Sequence, residues 1–194
     1  SDSLAQRMGR SCQVYGVDPW RPALRRAAQR ARELHIQNVQ IVEADAARLP
    51  FADRSFDTIV SNLGINNFAD PAGTMSQCAR VLRPGGVLAL TTNLCGHMAL
   101  FYEVFEKVLC SLGHDQCLPL LHEHIDHRMT IDKVTRLLTS AGLEPRRTHS
   151  AGFRMRFCDG TALLRHAFVR LAFLDGWRAI IPPPRQPQVF AALE

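Results

Sequence analysis

Hydrophobic residues along this chain of 194 residues alternate between short β-branched runs and longer stretches with helical spacing. That alternation predicts βα units around a mainly parallel sheet, which is an α/β fold. Between strands at 12–17, 39–43, 56–61 and 87–92, the pattern predicts helices ending near Met8, running from Pro19 to His35, and running from Pro71 to Leu82. Arg83-Pro84-Gly85-Gly86 predicts the tight turn from the last helix into the last strand, because glycine tolerates positive φ.

The pattern changes after residue 95, where long amphipathic stretches replace the short strands. Helices are predicted at 98–112, 130–141 and 161–174, and the alternating segment Gly152–Phe157 predicts a strand with one apolar face. Pro182-Pro183-Pro184 predicts a loop before a final helix that starts near Gln188. We therefore predict a single domain, with a nucleotide-binding half at 1–95 and substrate-side helices and a C-terminal strand at 96–194.

Polar side chains follow the predicted strands in the first half. Asp18 ends one strand, Asp45 follows the next, and Asn62 follows the third. In open α/β sheets the ligand crevice lies at the carboxyl ends of the strands. Leu49-Pro50-Phe51 adds an apolar wall after Asp45 that suits a purine ring. The layout predicts a nucleotide-like cofactor.

Composition narrows the classes of partner. The net charge of +5 comes almost wholly from scattered arginines, and no aromatic interleaving favours a nucleic-acid surface. Arg25, Arg26, Arg30 and Arg32 are expected on the solvated face of one helix. No apolar run approaches the roughly 18 residues of a membrane span. Six dispersed cysteines without a C-x-x-C pair favour reduced thiols and a cytoplasmic protein.

Three blocks in this order resemble the class I S-adenosylmethionine-dependent methyltransferases, within the group that includes the ubiquinone and menaquinone methyltransferases. They are VYGVD ending at Asp18, EADAARLPFADRSFD ending at Asp57, and RVLRPGG ending at Gly86. Each block alone is weak, whereas the three together are specific. The resemblance implies a Rossmann-like sheet, S-adenosylmethionine as cofactor and methyl transfer to a small-molecule acceptor.

The resemblance also implies roles for single residues on the cofactor side. Asp18 would accept hydrogen bonds from the ribose hydroxyls, and a helix N-cap is the alternative. Asp45 would accept from the adenine amino group while the Ala46 N–H faces a ring nitrogen; an Asx-turn is the alternative. Trp20 either packs on the adenine or covers its helix. Asn62 and Leu63 would lie along the methionyl part of the cofactor.

Four residues are candidates for catalysis. Asn66 and Asn67 follow the third strand, where they can orient an acceptor or make loop hydrogen bonds. His97 follows the fourth strand and can act as a general base or cap the next helix. Tyr102 is a second candidate base. Methyl transfer to a good nucleophile needs mainly positioning, so no strong base is required.

One departure limits the resemblance. The family's first motif, a strand with a D-x-G-x-G-x-G turn, does not occur in this sequence. Its loop lets the backbone approach the cofactor closely, and its strand is central in the sheet. We therefore expect a chain truncated at both ends with weak cofactor affinity. The alternatives are a non-catalytic methyltransferase-like module and, from the ribose carboxylate alone, a nicotinamide-dependent oxidoreductase.

Other features favour structural roles. His122, His124 and His127 lie near His114 and Cys117, but their spacing is not that of a standard zinc site, so no metal is predicted. Cys95, Cys110 and Cys117 lack the paired arrangement that would hold arsenite. Arg154 and Arg156 share one face of the predicted strand, where they can dock an anion or simply cover apolar surface. Nothing in the sequence indicates the oligomeric state.

Overall fold

The structure is a computed structural model that describes residues 2–194. In chain order its elements are α1 Asp2–Met8, β1 Val14–Asp18, α2 Arg21–Glu33, β2 Val39–Glu43, β3 Phe56–Asn62, α3 Pro71–Val81, β4 Leu82–Thr91, α4 Ala99–Ser111, α5 Leu118–Asp126, α6 Ile131–Ser140, α7 Gly160–Arg165, α8 Ala167–Ala172, α9 Leu174–Ala179 and α10 Gln186–Leu193. The longest helices, α2 and α4, have 13 residues each. No described helix has the length and apolar composition to cross a membrane.

The elements form two compact units. The first, here called the sheet unit, comprises residues 2–91 with Thr135–Pro145, and the second, the helical unit, comprises Thr92–Val134 with Arg146–Glu194. The predicted change of character after residue 95 corresponds to the first boundary within four residues. The return of 135–145 to the sheet unit was not predicted, because helical periodicity does not say which neighbour a helix packs against.

All four strands belong to the sheet unit, and the predicted α/β fold class is confirmed. β1 pairs with β2 in parallel from Val14↔Val39 to Asp18↔Glu43. β3 pairs with β4 in parallel from Thr58↔Val87 to Asn62↔Thr91. The described residues therefore form two two-stranded sheets, and no described strand joins β1 to β3. Parallel pairing places the carboxyl ends of each pair together, which is where the polar residues lie.

An aromatic cluster bridges the two sheets. The Tyr15 ring of β1 meets Phe51 at 5.4 Å and Phe56 at 5.6 Å between ring centroids, in edge-to-face geometry. Phe51 and Phe56 meet at 4.8 Å. Such pairs contribute about 0.5–1.5 kcal/mol each beyond the area that they bury. The cluster thus holds Phe51, which follows Leu49-Pro50, against both strand pairs.

The Arg-Pro-Gly-Gly turn lies between two stretches of ladder. β3 and β4 pair at Phe56↔Leu82 and again from Thr58↔Val87, so residues 83–86 loop out opposite Asp57. Gly85 has φ +78°, which favours glycine. A Cβ at Gly86 would lie 2.9 Å from the Arg83 carbonyl oxygen and 3.1 Å from that of Asp57. Both glycines of the motif are therefore required by the backbone, for different reasons.

The hydrophobic core of the helical unit is built around aromatic side chains of α4 and α9. Trp177 is fully buried and stacks on Phe101 with ring centroids 4.1 Å apart. Phe105, Leu109 and Leu121 are also fully buried beside it. Val189 of α10 is also fully buried in this core. The sequence predicted that this helix starts near Gln188, two residues after its observed start at Gln186.

Three sequence predictions are wrong at the level of single elements. The predicted helix 161–174 is three short helices, because His166 adopts extended φ/ψ and Phe173 leaves the helical region. Gly152–Phe157 is not a strand: residues 143–157 form neither helix nor strand, and Phe153 is 78% exposed. Alternation alone does not form a strand when no neighbouring strand pairs with it. The helix expected from Pro19 starts at Arg21, since Trp20 is extended.

All six cysteines have free thiols. Burial of Cys78 in α3 raises the pKa of its thiol to about 11. At neutral pH that thiol is protonated and unreactive. Cys78 therefore acts as a small apolar core residue of the sheet unit.

Candidate functional site

Asp18 and Asp45 lie at the same end of the β1–β2 pair. The last register pair is Asp18↔Glu43, and the Ala44 N–H donates to the Asp18 carbonyl oxygen at 3.3 Å. Asp45 is the next residue after Ala44, so the two carboxylates follow adjacent parallel strands. This is the edge at which an open α/β sheet presents its ligand crevice.

Each of these carboxylates also caps the backbone that follows it. Asp18 Oδ1 accepts from the Trp20 N–H at 2.8 Å, and Asp45 Oδ1 accepts from the Ala47 N–H at 2.9 Å. The bond at Asp45 is the Asx-turn that the sequence gave as the alternative. Asp18 is not the N-cap of α2, because Trp20 occupies that position. A carboxylate has two oxygens with several acceptor positions, so one cap does not use its capacity. The Ala46 N–H takes part in neither cap.

The apolar wall after Asp45 is held by an arginine of α3. The Arg80 guanidinium donates to the carbonyl oxygens of Leu49 at 2.9 Å and Phe51 at 2.8 Å, and pairs with Asp53 at 2.7 Å. The sequence analysis included Arg80 as the first residue of the RVLRPGG block but gave it no role. That role could not be found locally, because its partners are carbonyl oxygens about 30 residues away.

Trp20 is available for ring stacking. Its side chain is 57% exposed and precedes α2 directly after the Asp18 cap. An indole that covered its own helix would be largely buried. The exposure leaves the indole accessible, and packing on the adenine stays a prediction.

Asn62 and Leu63 form the end of the β3–β4 pair. Asn62 Oδ1 accepts from the Thr91 hydroxyl at 2.6 Å. Leu63 adopts φ +59°, and its N–H donates to the Thr91 carbonyl oxygen at 3.1 Å. A left-handed leucine is uncommon and is maintained only where its surroundings require it. The chain therefore turns sharply at the carboxyl edge of the second sheet.

Asn66 and Asn67 lie in the short 3-10 turn Ile65–Asn67 that follows. Asn67 Nδ2 donates to the Leu63 carbonyl oxygen at 3.2 Å, which is the loop hydrogen bond that the sequence offered as an alternative. Ile65 anchors the turn at 1% exposure. The turn thus places two amide side chains next to the left-handed residue, with Asn67 already engaged in holding the loop.

His97 belongs to the helical unit, in the loop before α4. Its backbone N–H donates to the Leu94 carbonyl oxygen at 3.0 Å, and its ring lies 5.5 Å from that of Phe173. Within residues 2–194, its Nε2 is buried without a hydrogen-bond partner. Burial, together with the charge of Arg128, lowers the pKa of His97. The imidazole is therefore neutral at neutral pH and can accept a proton.

Tyr102 is the centre of a buried hydrogen-bond network. Its hydroxyl receives Arg128 Nη2 at 3.0 Å and Trp177 Nε1 at 3.3 Å. Arginine and tryptophan are donors only, so both acceptor positions of the hydroxyl are used. Its own proton must then go to His124 Nε2, 3.2 Å away, which makes His124 neutral with its proton on Nδ1. Tyr102 has no capacity left for a ligand, so its role is structural.

The remaining histidines do not converge. His122 Nε2 lies 3.4 Å from Glu106 Oε1, while His124 faces Tyr102. Throughout the described part of the chain, no group of three or more His, Cys, Asp or Glu side chains is placed to hold a metal ion.

Acidification is expected to destabilise the helical unit. Burial first, and the charge of Arg128 second, lower the pKa values of His97 and His124 below the ordinary 6.5. A histidine with a lowered folded-state pKa contributes stability that is fully present above pH 6.5 and is lost as the pH falls through the folded-state value. Urea unfolding followed by circular dichroism between about pH 7.5 and 5 measures this loss.

The control for this prediction separates His124 from general acid effects. His124→Gln is expected to reduce the pH slope of the unfolding free energy, whereas the same change at the exposed His149 leaves the slope unaltered. An equal slope in wild type and His124→Gln would contradict the assignment.

Comparison with known proteins places these residues in context. The family model described as a methyltransferase domain matches residues 1–90. Two similar proteins are named demethylmenaquinone methyltransferase: that of Anoxybacillus flavithermus is 33% identical over 115 residues, and that of Geobacillus sp. strain WCH70 is 31% identical over 115 residues. Both alignments cover 57% of this chain. All the predicted site residues of the sheet unit lie within the matched residues.

The extent of the likeness is limited in length. The alignments cover 48% and 49% of these two relatives, so the chain spans about half the length of the curated relatives that it matches. Among solved structures, the YcgJ protein of Bacillus subtilis is similar with a TM-score of 0.58 and 18% identity, covering 93% of this chain and 67% of that one. That likeness concerns the fold.

Proposed function

We propose that this chain is a class I S-adenosylmethionine-dependent methyltransferase of the menaquinone methyltransferase-like group, which transfers a methyl group from S-adenosylmethionine to a small-molecule acceptor. Residues 1–90 match a family model described as a methyltransferase domain, and the similar proteins are named demethylmenaquinone methyltransferase. The observation that carries the proposal is the pair of carboxylates, Asp18 and Asp45, that follow adjacent parallel strands. Their chemistry suits the adenosine part of the cofactor, which presents two ribose hydroxyls and an amino group as donors.

Different residues of the sheet unit contact different parts of the cofactor. Asp18 accepts from the ribose hydroxyls and Asp45 from the adenine amino group, each through the oxygen that its cap leaves over. The exposed indole of Trp20 stacks on the base. The Ala46 N–H donates to a ring nitrogen. Leu63, turned by its left-handed backbone, lies along the methionyl part beside Asn62.

The cofactor, when bound, supplies an electrophilic methyl group on a sulfonium. The chain contributes orientation of the acceptor and exclusion of water, which together account for much of the acceleration in reactions of this type. Asn66 and Asn67 orient the acceptor through their amide groups. His97 stays the candidate general base that the sequence predicts, a role for which a neutral imidazole is suited.

The names of the relatives support one class of acceptor. Both are demethylmenaquinone methyltransferases, so demethylmenaquinone is the first acceptor to assay. Arg154 and Arg156 are exposed on a segment without regular structure. They therefore give no reason to expect an anionic group on the acceptor.

The experiment is an NMR titration of the chain with S-adenosylhomocysteine, which detects millimolar binding. We expect chemical-shift changes at the Trp20 indole and at the amides of Ala46 and Leu63. The indole of Trp177, fully buried in the other unit, is the internal reference. A titration that moves none of the three site signals would contradict the proposal. Shifts produced by reduced nicotinamide dinucleotide instead would favour the oxidoreductase alternative.

A further inference from the structure

A groove lies between α2 and β2, within the sheet unit. Its volume is about 420 Å³. Both elements and their connection supply its apolar floor, which comprises Ala28, Ala31, Ile36, Val39 and Ile41. Val39 and Ile41 are two residues apart in β2, so their side chains point to the same face of the strand. The groove therefore runs along the face of β2 that packs against α2.

The groove opens at an unpaired strand edge. β2 pairs with β1 on one side, and no other strand within residues 2–194 pairs with it. The described lining includes no residue of β1, so the groove lies on the side of β2 away from β1. Lysine and proline commonly protect such an edge from pairing with another chain, and β2, with the sequence VQIVE, contains neither. Its only charged residue, Glu43, already pairs with Arg21 at 2.7 Å.

The rim of the groove is basic. Arg32 and His35 line it, and Arg25 lies seven residues before Arg32, which places both arginines on the same side of α2. Across the described part of the chain, neither arginine pairs with a carboxylate. The lining that residues 2–194 provide also contains no acidic side chain. The positive charge of the two arginines is therefore available to a ligand.

His35 adopts an uncommon backbone conformation at this rim, with φ +51°. Its N–H donates to the Arg32 carbonyl oxygen at 3.1 Å, and the Ile36 N–H donates to the Ala31 carbonyl oxygen at 2.9 Å. Glycine is the usual residue at this position of such a helix end, because the left-handed region disfavours a side chain. Histidine therefore places an imidazole beside the groove where the backbone alone would favour glycine.

We propose that this groove binds an acidic peptide segment in extended conformation, which adds to the free edge of β2 and pairs its carboxylates with Arg25 and Arg32. In this mode of recognition, main-chain hydrogen bonds supply affinity and pockets for alternate side chains supply specificity. The apolar floor receives an apolar side chain of the peptide. The basic rim receives the acidic side chains that flank it.

Charge and size favour a peptide over other occupants. A second copy of the chain on this edge would bring Arg25 and Arg32 close to the same residues of its partner, and like charges in contact repel. Pockets that enclose a small molecule measure roughly 300–1,000 Å³ and bury most of its surface, whereas this groove is near the lower limit and open along the strand. A few side chains fill it, and the strand edge is left for a backbone.

The groove is separate from the proposed cofactor site. Ile36 and Val39 lie at the amino end of β2, whereas Asp45 follows its carboxyl end. The two ends of a five-residue strand are about 13 Å apart. The peptide and S-adenosylhomocysteine should therefore bind independently, and this inference goes beyond the proposed function.

The test is an NMR titration of the isotope-labelled full chain with the synthetic peptide TETVTET, blocked at both ends. Its two glutamates and its valine share one face of an extended chain. We expect chemical-shift changes at the amides of Val39–Glu43 and at the Arg32 side chain, with weaker binding as the salt concentration rises from about 0.05 M to about 0.5 M. The peptide TEPVPET keeps the same side chains but lacks two backbone N–H donors, so it should bind about tenfold more weakly.

Matched variants test the rim. Arg32→Gln should weaken the binding of TETVTET about twofold to fivefold, the range for an exposed ion pair. Arg30→Gln is the control, because Arg30 is also an exposed arginine in the last turn of α2 but does not line the groove. His35→Gly should weaken binding without lowering the free energy of unfolding, since glycine suits the left-handed backbone.

Equal binding of TETVTET and its charge-reversed counterpart TKTVTKT would overturn the proposal, and so would equal affinities of wild type and Arg32→Gln. Shifts at the β2 amides on concentrating the chain alone, with no response to the peptide, would assign the groove to a second copy and overturn it as well. S-adenosylhomocysteine added to the same sample tests the proposed function separately, through the signals of Trp20, Ala46 and Leu63.

Discussion

Replacing Trp177 by alanine is expected to destabilise the helical unit by about 3–5 kcal/mol, the usual cost of removing a large aromatic side chain from a core. The indole is fully buried and stacks on Phe101 at 4.1 Å and on Phe173 at 5.8 Å between ring centroids. Its N–H also donates to the Tyr102 hydroxyl. Truncation therefore leaves a large cavity and breaks the buried network in one step. A loss of this size is comparable with the whole stability of a small unit.

The other tryptophan provides the control. Trp20→Ala removes the same side chain from a position that is 57% exposed, where substitutions usually change stability by less than about 0.5 kcal/mol. Urea unfolding monitored by far-UV circular dichroism measures both variants. If Trp177→Ala and Trp20→Ala lost equal stability, the packing described for the helical unit would be wrong. Trp20→Ala should instead weaken the binding of S-adenosylhomocysteine.

Loss of the carboxylate at Asp18 or Asp45 is expected to weaken S-adenosylhomocysteine binding by roughly 10–150-fold each. That range corresponds to about 1.5–3 kcal/mol for a hydrogen bond to a charged group. The effect at Asp18 should be the larger, because a ribose offers two hydroxyls to one carboxylate. Calorimetric or NMR titration of Asp18→Ala and Asp45→Ala measures the change.

Both carboxylates also accept hydrogen bonds from backbone N–H groups, so the effect of losing that bond on stability must be separated from the effect on cofactor affinity. Asp159 makes the same kind of cap in the helical unit, where its Oδ1 accepts from the Ala162 N–H at 2.7 Å. Asp159→Ala should cost stability without affecting the affinity. Asp18→Asn and Asp45→Asn keep an acceptor for the cap but lose the charge, so they should retain stability and still bind less tightly. Affinity unaffected in all four site variants would contradict the assignment of both residues.

Family and fold were predictable because they depend on local signals that recur in order. The backbone requires certain residues at certain positions in three features: Asp18, the block ending at Asp57 and the Arg-Pro-Gly-Gly turn. Gly85 and Gly86 show this for the turn. The resemblance to methyltransferases is supported by the match of residues 1–90 to a family model described as a methyltransferase domain. The site residues themselves stay predictions that the titrations decide.

The helical unit was less predictable, because its boundaries depend on contacts between distant segments. A continuous amphipathic pattern predicted one helix at 161–174, and the chain forms three short helices instead, with breaks at His166 and Phe173. The alternation at Gly152–Phe157 satisfied the period of a strand, yet a strand also needs a hydrogen-bonded neighbour. Period is a property of the sequence, whereas pairing is a property of the fold.

The sequence by itself determined which residues end the strands, where glycine is obligatory, and that a nucleotide-like cofactor suits the edge of the sheet, because these follow from short-range backbone geometry and side-chain chemistry. Only the tertiary structure decided which polar groups are already satisfied. It showed that Tyr102 is saturated by Arg128, Trp177 and His124, which are 26, 75 and 22 residues away, and that His97 Nε2 has no hydrogen-bond partner among residues 2–194. Hydrogen-bond satisfaction depends on donors brought together by folding, and no local pattern in the chain records it.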